Sequence, residues 1–150
     1  MPAYGGGDRV MRIRGGVVTR LLHVGDSPVV VRAWQPAADR VVFRAEAVDP
    51  EALTSAVPLS AEPATREQLE PAVERMRFAL AVDDDLGEFH RRFRRDPLLG
   101  PLLRRRPHFR VQRRPWPWEA LAWAVVEQLI ESERAALIER RIVGRWGSRL

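Results

Sequence analysis

The chain contains no cysteine and no lysine, so that all 25 of its basic residues are arginine. The lack of cysteine excludes disulfides, thiolate zinc sites and a cysteine nucleophile. No apolar run approaches the ~20 residues that a membrane-spanning helix needs. The N-terminus has neither a charged start nor the apolar core of a signal peptide. We therefore expect a cytoplasmic protein that does not bind a membrane.

Few residues are candidates for a metal site. The three histidines, His23, His90 and His108, are far apart in the sequence and lack metal-ligand spacing. The acidic run Asp83–Asp85 is interpreted as the approach to a helix, because acids are favoured near a helix N-terminus. We expect no metal and no other cofactor.

The arginines are unevenly distributed. Residues 1–90 hold 10 arginines against 14 acids, whereas residues 91–150 hold 15 arginines against 6 acids. Residues 91–114 alone hold 10 arginines and a single acid, Asp96. The composition of the genome can explain the use of arginine in place of lysine, but it does not explain this asymmetry. An excess of positive charge in one half indicates a polyanionic partner for that half.

The first part of the chain has the pattern of a sheet. After residues 1–8, which are expected to be disordered, apolar residues alternate with polar ones. The pattern predicts strands at Val17–Val24, Pro28–Trp34 and Arg40–Val48, with a possible fourth at Met11–Arg14. Turn-rich connections between them favour an antiparallel meander with one buried and one solvated face.

A helix is expected to cover that sheet. Thr65 and Gln68 form a possible capping box. Pro71 would remove a hydrogen bond from the middle of a helix that began at Arg66. The regular helix is therefore predicted to begin near Glu70, with Pro71 in its first turn. Its core-facing residues are Val73, Met76 and Leu80.

The rest of the chain is predicted to be helical. Asp85 and Asp96 mark the starts of two short helices, and the second is predicted to end at Arg104–Arg106, just before a proline. A long apolar helix begins with Pro117, and Ser132 starts another helix. Trp118 and Trp123 are interpreted as core residues. The apolar stripe of the long helix comprises Trp118, Leu121, Ala122, Val125, Val126 and Leu129.

These residues carry a family resemblance. The segment from Trp118 through Gln128 and Leu129 to Ile142 resembles the DNA-3-methyladenine glycosylase II family, in the helix-hairpin-helix glycosylase superfamily. Upstream, residues 96–100, 104–107 and 110–111 are also similar to the family. The resemblance is specific for residues 83–147 and loose for residues 10–82.

The resemblance implies an α+β protein. It divides the chain into a β-sheet and helix domain at 9–82 and an incomplete helical glycosylase-like domain at 83–150. It also implies base-excision repair, in which a damaged base is flipped out of double-stranded DNA and its N-glycosidic bond is hydrolysed.

The resemblance assigns roles to particular residues. Leu129 matches the family's wedge between bases, and Gln128 would lie beside the vacated pair. Arg110, Arg113 and Arg114 are the candidates for phosphate contact. Three features depart from the family. Trp116 cannot cap the long helix, Glu131 places a negative charge near the proposed DNA, and neither the hairpin nor the catalytic aspartate is present. No catalytic residue is therefore assigned in this chain.

Two hypotheses remain open. In the first, the chain is the N-terminal part of an alkylbase glycosylase and does not cleave by itself. Trp118, Val125, Ile138 and Ile142 would then pack on further helices, or mediate self-association. In the second, the chain is a non-enzymatic module that binds DNA or another protein.

Overall fold

The structure is a computed structural model that describes residues 11–53, 63–128 and 130–148. It confirms the predicted α+β class, with an antiparallel sheet and a packed helix followed by an all-helical region. Residues 11–82 are called the sheet half below, and residues 83–148 the helical half. Both the expected disorder of residues 1–8 and the position of Leu129 lie outside the described residues.

The sheet is a simple meander. Its strands are β1 (Met11–Arg14), β2 (Val17–Val24), β3 (Ser27–Ala37) and β4 (Arg40–Ala47). They pair antiparallel in sequence order, as the alternating pattern predicted. The possible fourth strand is confirmed as β1. Strand β3 is longer than predicted at both ends, with an irregularity in its pairing between Trp34 and Ala37.

Tight turns connect the first three strands. Gly15, Gly16 and Gly25 have φ angles of 57°, 76° and 60°. These left-handed conformations strain residues that carry a Cβ atom, which explains glycine at these positions. A short 3-10 turn, Pro50–Ala52, follows the last strand.

Helix α1 (Arg66–Leu80) packs across one face of the sheet. It begins four residues before the predicted start, so the expectation that Pro71 lies in the first turn was wrong. The backbone N–H of Thr65 donates to Oε1 of Gln68 at 2.7 Å, as expected for a capping box. Leu69 also packs against the core. These contacts hold the first turn in place although Pro71 donates no hydrogen bond.

The main core lies between this helix and the sheet. Its fully buried members share positions on one face of β2 and β3 or the inner side of α1. They are Leu22, Val29, Val31, Ala33, Ala72 and Met76. Burial of such side chains contributes about 1.5–3 kcal/mol for each large one, before the entropic cost of ordering the chain.

The helical half contains α2 (Gly87–Phe93), α3 (Leu99–Arg105), α4 (Pro117–Glu127) and α5 (Ser132–Trp146). All four agree with the sequence pattern to within a few residues. Oδ1 of Asp85 accepts the N–H of Gly87 at 2.7 Å before α2. Oδ1 of Asp96 accepts the N–H groups of Leu98 and Leu99, both at 2.8 Å, at the start of α3. Each aspartate thus stabilises the helix start whose position it had indicated in the sequence.

The tryptophans of α4 have different environments. Trp123 is buried, with 7% of its surface exposed, which confirms the prediction. Trp118 is 75% exposed, so its assignment to the core was wrong. Trp118, Leu121 and Val125 follow one another at i, i+3 and i+7, and all three are exposed. They form one face of α4, which no described element covers.

Candidate nucleic-acid interface

The junction between α4 and α5, called the elbow below, has extended backbone at the described residues Gln128 and Glu131. Gln128 ends α4 with ψ at 129°, and Glu131 precedes α5 with ψ at 140°. The side chain of Gln128 is exposed, as its predicted role requires, while Ile130 is half-buried. The wedge candidate, Leu129, follows Gln128 in the sequence and lies outside the described residues.

A shallow depression adjoins the elbow on the outer side of α4. It is lined by Leu121, Ala124, Val125, Glu127 and Gln128. Three of these side chains are apolar. The elbow is therefore continuous with the uncovered face of α4, and the two form one accessible surface.

An ion pair fixes the first turn of α4 to the sheet. Nη2 of Arg20, on β2, donates to both carboxylate oxygens of Glu119 at 2.7 and 2.8 Å. Arg20 is only 5% exposed and Glu119 15% exposed. A buried charge needs a partner, because its desolvation is costly. This pair therefore couples the orientation of α4, and of the elbow beyond it, to the sheet half.

Sequence reasoning had not identified this pair, although a signal was present. Arg20 lies two residues from Val18 and two from Leu22, on the face of β2 that packs in the core. A charged residue at such a position indicates a specific partner. The sequence could not show that the partner is Glu119, because 99 positions separate the two residues.

Arg114 extends the same ionic network. Its Nη1 lies 3.5 Å from Oε1 of Glu119, and its Nη2 lies 3.9 Å from Oε1 of Glu139 on α5. Its guanidinium also lies 5.4 Å from the ring centre of Trp123. The side chain thus connects the start of α4 to α5. Contact with phosphate would compete with both carboxylates.

Arg113 lies elsewhere, at the end of α1. Its two terminal nitrogens donate to the carboxylate oxygens of Asp84 at 3.0 and 2.7 Å. Its backbone N–H donates to the carbonyl of Ala79 at 2.8 Å, and its guanidinium lies 5.0 Å from the ring centre of Phe78. Arg113 therefore attaches the segment before α4 to the sheet half.

The third candidate, Arg110, is half-buried, and its Nη1 lies 3.4 Å from the carbonyl oxygen of Phe109. It makes no ion pair within the described residues. The structure thus does not bring the three predicted arginines into one cluster. Their contact with DNA stays a prediction. Arg110 could contact phosphate without first giving up an ion pair to a carboxylate of the described residues, whereas Arg113 and Arg114 could not.

The described residues were also compared with the requirements of a metal site and of a membrane-spanning helix. No group of three or more His, Asp or Glu side chains there is arranged to hold a metal ion. No helix among them is long and apolar enough to cross a membrane.

Comparisons with known proteins identify the architecture. No protein-family model matches the chain, and no curated protein matches it. Among solved structures, it is similar to a 3-methyladenine DNA-glycosylase from Archaeoglobus fulgidus, with 20% sequence identity and a TM-score of 0.68. The fold is glycosylase-like. The similarity covers 90% of this chain and 41% of the glycosylase, so this chain spans less than half the length of its structural neighbour.

Proposed function

We propose that this chain is the DNA-approach part of a base-excision repair protein of the 3-methyladenine glycosylase type. The complete protein would flip an alkylated base out of double-stranded DNA and hydrolyse its N-glycosidic bond. The observation that supports this most directly is the glycosylase-like fold over 90% of the chain. The exposed Gln128 at an elbow between two helices is consistent with it.

The 150-residue chain is expected to bind duplex DNA without cleaving it. Residues 131–150 contain three glutamates and no aspartate, so that no residue after the elbow matches the family's catalytic position. Incubation of the chain with a 3-methyladenine duplex, followed by chromatography of released bases, tests this expectation. Appreciable base release would contradict it.

The proposed wedge is tested by the substitution Leu129→Ala in a protein that contains the glycosylase-like remainder. Loss of the wedge should reduce base flipping, measured with a fluorescent base opposite the lesion, more than it reduces stability. Ile13→Ala, at an exposed position of the sheet half, is the matched control. A loss of stability of roughly 2–5 kcal/mol for Leu129→Ala would show instead that Leu129 packs in a core.

A second candidate function is protein interaction through the uncovered face of α4. Exposed Trp118, Leu121 and Val125 are aligned on one side of the helix. Contiguous apolar surface of this kind is typical of an interface. Trp118→Gln should then abolish any concentration-dependent association seen by analytical ultracentrifugation, with little change in stability. If the wild-type chain sediments as a monomer at all concentrations, self-association is excluded.

A further inference from the structure

A second group of arginines, apart from Arg110, Arg113 and Arg114, is concentrated at the ends of α2 and α3. It consists of the four arginines in residues 91–95 and the three in residues 104–106. All seven are exposed, and none forms an ion pair with a carboxylate among the described residues. We call these seven side chains the arginine surface.

The tertiary structure brings the two parts of this surface together. Nη1 of Arg104 donates to the carbonyl oxygen of Arg94 at 3.2 Å, which joins the last turn of α3 to the end of α2. Gly100 allows this approach, because a Cβ atom there would lie 2.5 Å from the same carbonyl oxygen. The two arginine runs therefore meet although they are separated in sequence.

No acid within the segment neutralises these charges. Asp96 is the only acid in residues 91–114. It accepts backbone N–H groups at the start of α3, and it forms no ion pair with any residue that the structure describes. Arg113 and Arg114, in contrast, already contact carboxylates of this chain. Within residues 91–114, the guanidinium groups left for an external anion are thus those of the arginine surface and that of Arg110.

We infer that the arginine surface is the principal phosphate-contacting surface of the chain and binds the backbone of duplex DNA. This inference rests on the proposed function and shifts the phosphate contacts from residues 110–114 to residues 91–106. Guanidinium groups form planar, two-pronged hydrogen bonds with phosphate oxygens. Leu98, just before α3, and Leu102, on α3, are also exposed, at 75% and 54%, and offer apolar contact to sugars between phosphates.

The simpler explanation is that these cations stabilise the C-termini of the two helices. Helix stabilisation and DNA binding predict different results. The first predicts a loss of stability on neutralisation and no particular effect on DNA affinity. The second predicts a loss of affinity and of its salt dependence.

The experiment measures binding of the full chain to a short undamaged duplex by fluorescence anisotropy over a range of salt concentrations. The variant R94Q/R95Q/R105Q/R106Q should bind roughly tenfold more weakly or worse, and its salt slope should fall by about 0.9 for each arginine that contacts a phosphate. The variant R12Q/R14Q/R40Q/R66Q removes the same charge from exposed positions of the sheet half and should have a much smaller effect.

Other outcomes overturn the inference. Equal effects of the two variants would show that only net charge matters. Normal binding by the first variant, with loss of binding by R110Q/R113Q/R114Q, would reject the arginine surface and leave the proposed function intact. If the wild-type chain binds no duplex even at low salt, both the inference and the proposed function fail. If the fourfold variant loses its helical circular dichroism signal, the double variants R94Q/R95Q and R105Q/R106Q take its place. Each should then lower the salt slope of DNA binding by about half of the amount expected for the fourfold variant.

Discussion

The sheet half and the helical half bury very different amounts of apolar surface. Most of the buried hydrophobic residues belong to the sheet, α1 and the turn after β4, whereas Trp123 and Ala135 are the buried hydrophobic residues of the described helical half. Large exposed hydrophobic residues show the reverse distribution, with three in the sheet half and ten in the helical half. The sheet half therefore carries its own core.

The position of the helical half depends on contacts that it makes with the sheet half. Arg20–Glu119 connects α4 to the sheet, and Arg113 connects the preceding segment to α1. Arg75 lies over the ring of Trp116, 3.6 Å from its centre, and adds another contact between the halves. Polar and cationic contacts thus position the helices where an extensive apolar core does not.

The largest expected effect is that of breaking the connection between the halves. Glu119→Ala leaves the guanidinium of Arg20 buried without its partner, and should destabilise the folded chain by about 3–5 kcal/mol. Urea denaturation followed by circular dichroism measures the change. The double variant Arg20→Met/Glu119→Leu removes both charges and should recover much of the loss. A change within experimental error for Glu119→Ala would show that the two halves are energetically independent.

The second prediction compares the truncation of a buried side chain in the sheet half with the truncation of an exposed side chain in the helical half. Met76→Ala opens a cavity in the main core and should cost about 2–5 kcal/mol. Val125→Ala removes surface methyl groups from an exposed site and should change stability by no more than about 0.5 kcal/mol. Both are measured by the same denaturation experiment. Similar losses for the two variants would contradict the contrast between a packed sheet half and an open helical half.

The smallest expected effect is a pH dependence of the free energy of unfolding, which arises from His23 in the sheet half. Nε2 of His23 on β2 is buried and has no hydrogen-bond partner among the described residues. Burial lowers the pKa of His23 below its ordinary value of 6.5, and the nearby Asp26 carboxylate opposes this shift only in part. The unfolded chain therefore binds more protons than the folded chain just below that value.

Stability should accordingly be complete above about pH 6.5 and should fall as the pH decreases toward the lowered pKa of His23. Urea midpoints measured at several pH values test this direction. His23→Leu should remove this contribution, while His108→Leu, at an exposed position in the helical half, is the matched control. A wild-type midpoint that rises on acidification in this range would contradict the assignment.

The sequence by itself determined most of the local structure. Period-two alternation gave the strands, because successive side chains of a strand point to opposite faces. Asp96 and Pro117 marked helix starts, because side-chain oxygens satisfy free N–H groups and proline fits the first turn. Because of Pro71, the start of α1 was predicted four residues too late. The penalty of one lost hydrogen bond is local, whereas the packing that offsets it comes from the sheet.

Only the tertiary structure decided which candidate residues share a surface. The charge asymmetry was evident in the sequence, but the arginines that are paired with carboxylates could not be distinguished from those that are not. Asp84 and Glu119 reach Arg113 and Arg114 through folding, and Gly100 brings the arginines of α2 and α3 together. Trp118 and Trp123 likewise share one helical pattern, yet only Trp123 is covered. Periodicity places side chains on a face, but long-range packing determines whether that face is covered.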